Sequence, residues 1–201
     1  MSHNALRAEI YLILSAAFQK PTAEFIAEQG NMIEFLRQSF DKLDYDIPSQ
    51  LYAAWPQLAG ELAALTDAYY QSFVFPVGTR VVPVESVYRQ WTYDETIDAP
   101  FAKEKGLLMS DHALHMSALQ AAYGLAVPME YHSMPDHIVL ELEFAAVLLE
   151  RGAKKEFRIF LAEHLNWLDE LAADSEKQNI PAYYRQLIKL TAEFVARELR
   201  R

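Results

Sequence analysis

The chain has 201 residues, 52% hydrophobic and 23% charged, which is enough apolar side chain for a sizeable core and too little charge for a disordered segment. It contains no cysteine, which excludes disulfides, zinc–thiolate sites, iron–sulfur clusters and thiol nucleophiles. The formal net charge of −10 suits a soluble protein and argues against a nucleic-acid partner, since phosphate contacts need clustered Lys and Arg.

The acidity is uneven: residues 1–100 hold 13 acidic and 6 basic side chains, so this half would attract a basic ligand. The first ten residues lack a basic start and place Glu9 inside the first apolar stretch, unlike a secretory leader. No run approaches the roughly 18 apolar residues that span a bilayer. The expectation is a cytoplasmic protein.

Helical periodicity dominates the chain. Leu6, Ile10, Ile13, Leu14, Ala17 and Phe18 recur at three- and four-residue steps and predict a helix that stops before Pro21. Thr22 as cap and Gly30 as terminator predict a short helix over 23–29. Asn31 with Glu34 then reads as the capping box of a third helix to Leu43. A longer helical stretch is expected from Ser49 to Phe73, with Pro56 marking a kink or the first turn of a new helix.

Residues 76–84 carry two prolines and a glycine and predict a loop, with a hairpin over 74–84 as the alternative. Short helical character returns from Glu85 to Tyr93, and a helix is predicted from Leu107 to Tyr123 with Gly124 just past its end. Ser133 and Asp136 have capping-box spacing, with Pro135 in the first turn, ahead of an apolar helix to Arg151. Two further segments, 154–173 and 181–201, flank a polar linker at 174–180. The fold class is therefore all-α, a bundle of about nine helices. The break at 125–135 is the expected hinge between an N-terminal lobe, 1–124, and a C-terminal lobe, 136–201, in one integrated domain.

Enzymatic signatures are missing: the sequence has no Gly-rich phosphate loop, no dinucleotide fingerprint and no nucleophile elbow. His112 with His115, and His137 with Glu141, sit at helical spacings that put each pair on one face. They suggest the alternative of a helical metal- or haem-binding enzyme. No Glu-x-x-His occurs, however, and a di-iron bundle needs that pattern on two helices. The segment 69–95 is more informative. Tyr69, Tyr70, Phe73, Phe75, Tyr88, Trp91 and Tyr93 mix there with Glu85, Asp94 and Glu95. Most of these rings are expected in the core, but the prolines and glycine prevent one buried stripe. The remainder would line a groove in which an apolar ligand packs and acidic groups meet its positive charge. After the hinge, Asp136 in a first helical turn suits a capping role, while His137 has no evident capping duty and is expected to face a cleft.

Three segments in order carry a resemblance. Pro83-Val84-Glu85-Ser86-Val87-Tyr88, preceded by Tyr70 and Phe73, is the first. Asp136-His137-Ile138 followed by Leu140-Glu141-Leu142-Glu143-Phe144 is the second, and His164-Leu165-Asn166-Trp167 the third. Together they resemble the TorD/DmsD family of redox enzyme maturation chaperones, which includes nitrate-reductase assembly relatives. The second segment departs from the family pattern, since Pro135 immediately precedes Asp136 where the family places proline one residue earlier.

The resemblance implies a two-lobed helical chaperone, not an enzyme, occurring as a monomer or as a dimer that exchanges lobes. It implies binding of the twin-arginine signal peptide and apoprotein of a molybdopterin-dependent oxidoreductase, help with cofactor insertion, and prevention of premature export. Reductases for dimethyl sulfoxide, trimethylamine N-oxide, nitrate or selenate fit equally well as clients. Glu85, Asp136 and Glu141 would then meet the guanidinium groups, with Ser86 and His137 beside them. Tyr70, Phe73, Tyr88 and Trp91 would pack the apolar part of the peptide. No cofactor is expected. Guanine nucleotide has been proposed for the family, and nothing in this sequence forms a phosphate cradle for it.

Overall fold

Helix α1, His3–Phe18, starts where the Ser2 side chain accepts from the Ala5 amide at 3.2 Å, and it ends before Pro21 as its apolar stripe predicts. In the computed structural model, which describes residues 1–74 and 80–201, that stripe is buried against α7, Ile138–Glu150, in the most extensive helix pair of the molecule. Helix α7 is buried on almost every side from Ile138 to Leu149, and this explains its near-continuous apolar sequence. Each such aliphatic or aromatic side chain removed from water contributes on the order of 2 kcal/mol.

Helix α2 runs unbroken over Ala23–Leu43, with Thr22 as its cap, so the two helices expected there are one. A Cβ at Gly30 would meet nothing within 4 Å. The glycine costs about 1 kcal/mol of helix propensity. Burial of Phe25 before it and of Leu36, Phe40 and Leu43 after it on one face outweighs that cost. The predicted stretch from Ser49 to Phe73 divides instead. After a 3₁₀ turn at Ser49–Leu51 come α3, Trp55–Ala59, with Pro56 in its first turn, and α4, Leu62–Tyr69, which continues as a π-helical turn over Tyr70–Val74. Gly60 between α3 and α4 sits at φ 59°, ψ −136°, a conformation that breaks a helix and that glycine adopts without strain.

Residues 75–79, which include Phe75 and most of the expected loop or hairpin, lie outside the described residues. Helix α5, Glu85–Tyr88, is a single turn, shorter than the predicted 85–93. Helix α6, Asp111–Ala122, begins at a Ser110 cap, later than the predicted Leu107, and closes at Gly124 with φ 71° as predicted; its last turn also bonds Leu125 N to Gln120 O at 2.9 Å. The predicted helix over 154–173 breaks into α8, Lys154–His164, and α9, Leu168–Lys177. Side chains take the carbonyls that would continue it: the Asn166 amide donates to Ala162 O at 2.7 Å and the Trp167 indole to His164 O at 2.9 Å. Helix α10, Ala182–Leu199, packs on α9 and reaches α1, α3, α4 and α8.

The fold is all-α, and among the described residues the only extended pairing is an isolated antiparallel bridge between Val84 and His137. Trp55, Phe144, Trp167, Tyr184 and Phe194 belong to one core cluster, so residues from both sides of the 125–135 segment share a single interior. None of the described helices is long and apolar enough to cross a membrane.

Candidate functional site

The two segments singled out around Glu85 and Asp136 run side by side. Beyond the Val84–His137 bridge, Glu85 N donates to Asp136 O at 3.1 Å and Ile138 N donates to Pro83 O at 2.9 Å. This paired backbone has two sides. Val82, Pro83, Val84, His137, Val139 and Leu140 line an open groove, whereas Glu85, Ser86, Asp136 and Glu141 are wholly buried.

The groove encloses about 680 Å³. Tyr69, Phe73 and Val74 from the end of α4 form one apolar wall, Tyr131 and Met134 from the 125–135 segment another, and Leu140 of α7 lies between them. Its charged groups are Lys20, Glu130 and Glu143. Glu143 accepts from Ser15 Oγ at 3.2 Å and Gln19 Nε2 at 3.3 Å, and burial raises its pKa above the ordinary carboxylate value. Lys20 lies over the Tyr70 ring at 5.5 Å.

His137 caps α7: its Nδ1 accepts from the Val139 amide at 3.3 Å while its ring packs on Tyr131. The expected capping box from Ser133 to Asp136 does not form, and the histidine to which no capping role was assigned holds that position. Burial pushes its pKa down to about 4.

Behind the groove lies a closed polar network. Asp136 Oδ2 accepts from Ser86 N at 2.7 Å and from Ser86 Oγ at 2.5 Å, so it caps α5 rather than α7. Burial raises its pKa, partly offset by those two hydrogen bonds. Ser86 Oγ also lies 2.8 Å from Ser110 Oγ at the start of α6. Glu85 sits between His164 Nδ1 at 2.8 Å and His112 Nδ1 at 3.0 Å, with Arg89 Nε at 3.6 Å. Burial alone would raise Glu85, but the two histidines beside it hold it below the usual value. Glu141 accepts from Trp167 Nε1 at 3.0 Å. Burial, then repulsion from Glu85 and Asp136, drives Glu141 well above the usual carboxylate range.

The structure thus separates the residues that sequence placed in one peptide site. Phe73 and His137 reach the groove, and Tyr70 lies beside it under Lys20. Glu85, Asp136 and Glu141, expected to face guanidinium groups, and Ser86 beside them are internal and hydrogen-bonded within the protein. Tyr88 stacks on Trp167 at 5.2 Å and donates to Asp174 Oδ2 at 3.1 Å, away from the groove. Trp91 packs on Phe101 within its own loop and donates to Leu108 O. The two predicted histidine pairs also part company. His112 and His115 gather at His164, whereas His137 faces the groove and Glu141 lies beside Glu85.

The groove carboxylates were missed, although Glu143 shares a helical face with Val139 and Leu140, a pattern that pairs one acid with apolar neighbours at i and i+4. Tyr131 and Met134 lie in the irregular segment read only as a hinge, and irregular segments on a rigid scaffold commonly bind ligands.

The sequence profile of the nitrate reductase delta subunit family matches residues 36–173, a span that contains the whole polar network. A crystal structure of a protein from Archaeoglobus fulgidus, named for redox enzyme maturation, shares the fold with a TM-score of 0.59 at 20% identity, over 94% of this chain and 93% of that one. No curated protein sequence matches at a significant level.

Proposed function

The chain belongs to the nitrate reductase delta subunit family, and on that premise we propose that it is a cytoplasmic maturation chaperone of a molybdopterin-dependent redox enzyme, holding the client's twin-arginine signal peptide and apoprotein without catalysing a reaction. The observation that supports this reading best is the groove of about 680 Å³ with aromatic walls and two carboxylates. A leader peptide of this class offers two guanidinium groups followed by an apolar stretch. Phe73, Tyr131, Met134 and Leu140 give the apolar stretch rings and a flexible thioether to pack against. Glu130 and Glu143 accept guanidinium hydrogen bonds, and a bound arginine offsets the partial burial that holds Glu143 above its usual pKa.

In this reading the buried carboxylates do not touch the peptide. Asp136 and Ser86 fix the paired backbone whose outer side forms the groove floor. The 125–135 segment is the hinge of the proposal. Because both lobes share one core, opening it leaves a face that a second copy of the chain would have to refill.

Peptide binding is tested with a labelled twin-arginine leader and the full chain, by fluorescence anisotropy. Two partly exposed ion pairs are worth roughly 1 kcal/mol each. Replacing Glu130 and Glu143 together by glutamine should therefore weaken binding by at least about tenfold. Replacing both leader arginines by lysine should weaken it similarly, through loss of bidentate geometry. Affinity unchanged by either substitution sinks the groove as the peptide site.

A further inference from the structure

Outside the groove, the structure gathers three donor groups from three helices. Glu85 of α5, His112 of α6 and His164 of α8 bring one ligand atom each within 4.8 Å of one another. We propose that these residues bind a single divalent cation of the zinc class. Both imidazoles present Nδ1, one to each oxygen of the same carboxylate, at 3.0 and 2.8 Å. Glu85 Oε1 is buried and receives no hydrogen bond of acceptable geometry, although His112 Nδ1 is close. A buried carboxylate oxygen without a donor is costly in an apolar interior, and a cation between the three groups would remove that cost.

The spacing suits an ion. Bonds of about 2.1 Å place tetrahedral ligands about 3.4 Å apart, and the three ligand atoms lie within 4.8 Å of one another, so side-chain adjustment closes them on one ion. Two nitrogen donors and one carboxylate favour zinc or its first-row neighbours over magnesium or calcium, which prefer oxygen.

The surroundings support the same assignment. His164 Nε2 lies 2.9 Å from His115 Nδ1, a contact that fixes the ring and leaves its Nδ1 lone pair for a metal when Nε2 carries the proton. Arg89, the competing cation, is engaged by Glu170 at 3.0 Å and by Asn166, and stands 3.6 Å from Glu85. His112, His115, His164 and Glu163 line a surface cleft of about 580 Å³, which supplies an entry path and room for a fourth ligand from water or a client side chain. The bound ion would pin α5, and with it one side of the groove, to α6 and α8.

The test is calorimetric titration of the untagged, chelator-stripped full chain with Zn²⁺, paired with the visible spectrum of the Co²⁺ form. Expected are one ion per chain and the intense bands of four- or five-coordinate cobalt. His112→Ala removes a ligand that is 21% exposed, so the fold survives. It should weaken binding at least about 100-fold, and His115→Ala about 10- to 100-fold by freeing the His164 ring. His132→Ala, at an exposed position of the 125–135 segment, should change nothing. No saturable binding, binding that survives His112→Ala, or a weak octahedral cobalt spectrum would overturn the proposal and leave a hydrogen-bonded ion cluster in its place.

Discussion

Arg7 on α1 holds Glu198 on α10, and breaking this pair should be the most damaging single charge change away from the groove. The glutamate side chain is 0% exposed and the arginine 13%. Arg7 Nε donates to Oε1 at 2.9 Å and its Nη2 to Oε2 at 2.6 Å, while the Tyr45 hydroxyl donates to Oε1. The guanidinium also lies 4.8 Å over the Phe157 ring of α8. At an effective dielectric of about 20, opposite charges about 4 Å apart attract by about 4 kcal/mol.

Arg7→Met keeps much of the stem but leaves Glu198 buried with Tyr45 alone, a change expected to cost about 3–5 kcal/mol. Against a typical total stability of 5–15 kcal/mol, that should lower the melting temperature by roughly 10 °C. Glu198→Gln should cost less, because Arg7 sits at the rim and can turn to water. The double variant Arg7→Met, Glu198→Leu should recover most of the loss, since apolar replacement of a buried pair is often neutral. Urea unfolding followed by the buried tryptophans Trp55 and Trp167 measures each difference. A cost below about 1 kcal/mol for Arg7→Met, with the double variant no better, would refute the claim that Glu198 depends on Arg7.

Two further outcomes follow from local geometry. His137 has a folded pKa near 4 against an unfolded value of 6.5, so the native state binds fewer protons and loses stability as pH falls from above 6.5 toward 4. His137→Asn, whose side-chain oxygen can replace Nδ1 as the cap acceptor, should therefore gain about 2 kcal/mol relative to wild type between pH 7.5 and pH 5 in paired urea titrations, and a pH-independent difference would contradict the burial argument. Gly124→Ala places a side chain at φ 71° with open space around it, so only backbone strain of about 1–2 kcal/mol should appear in thermal unfolding, with the rest of α6 intact by circular dichroism.

The helices themselves were legible because their signals are local. The stripe of α1, the Thr22 cap and the Gly124 terminator each depend on residues within one or two turns. Where local signals misled, a longer-range term had decided. Gly30 looked like a stop, but the face shared by Phe25, Leu36 and Phe40 carries α2 through it. The run from Lys154 looked continuous, but the indole and amide of Trp167 and Asn166 capture its carbonyls.

The site divided along the same line. Sequence alone brought out the segments around Glu85 and Asp136, their aromatic company and the helical class of the protein. Only the tertiary structure decided which way their side chains face. Glu85 depends on His164, 79 residues away, Asp136 on Ser86 across 50, and Glu141 on Trp167 across 26. A carboxylate with such donors can be drawn into the interior, whereas Glu130 and Glu143, unremarkable in the sequence, are left beside the groove. Burial of a charge is fixed by partners that only folding brings together, and no spacing along the chain encodes them.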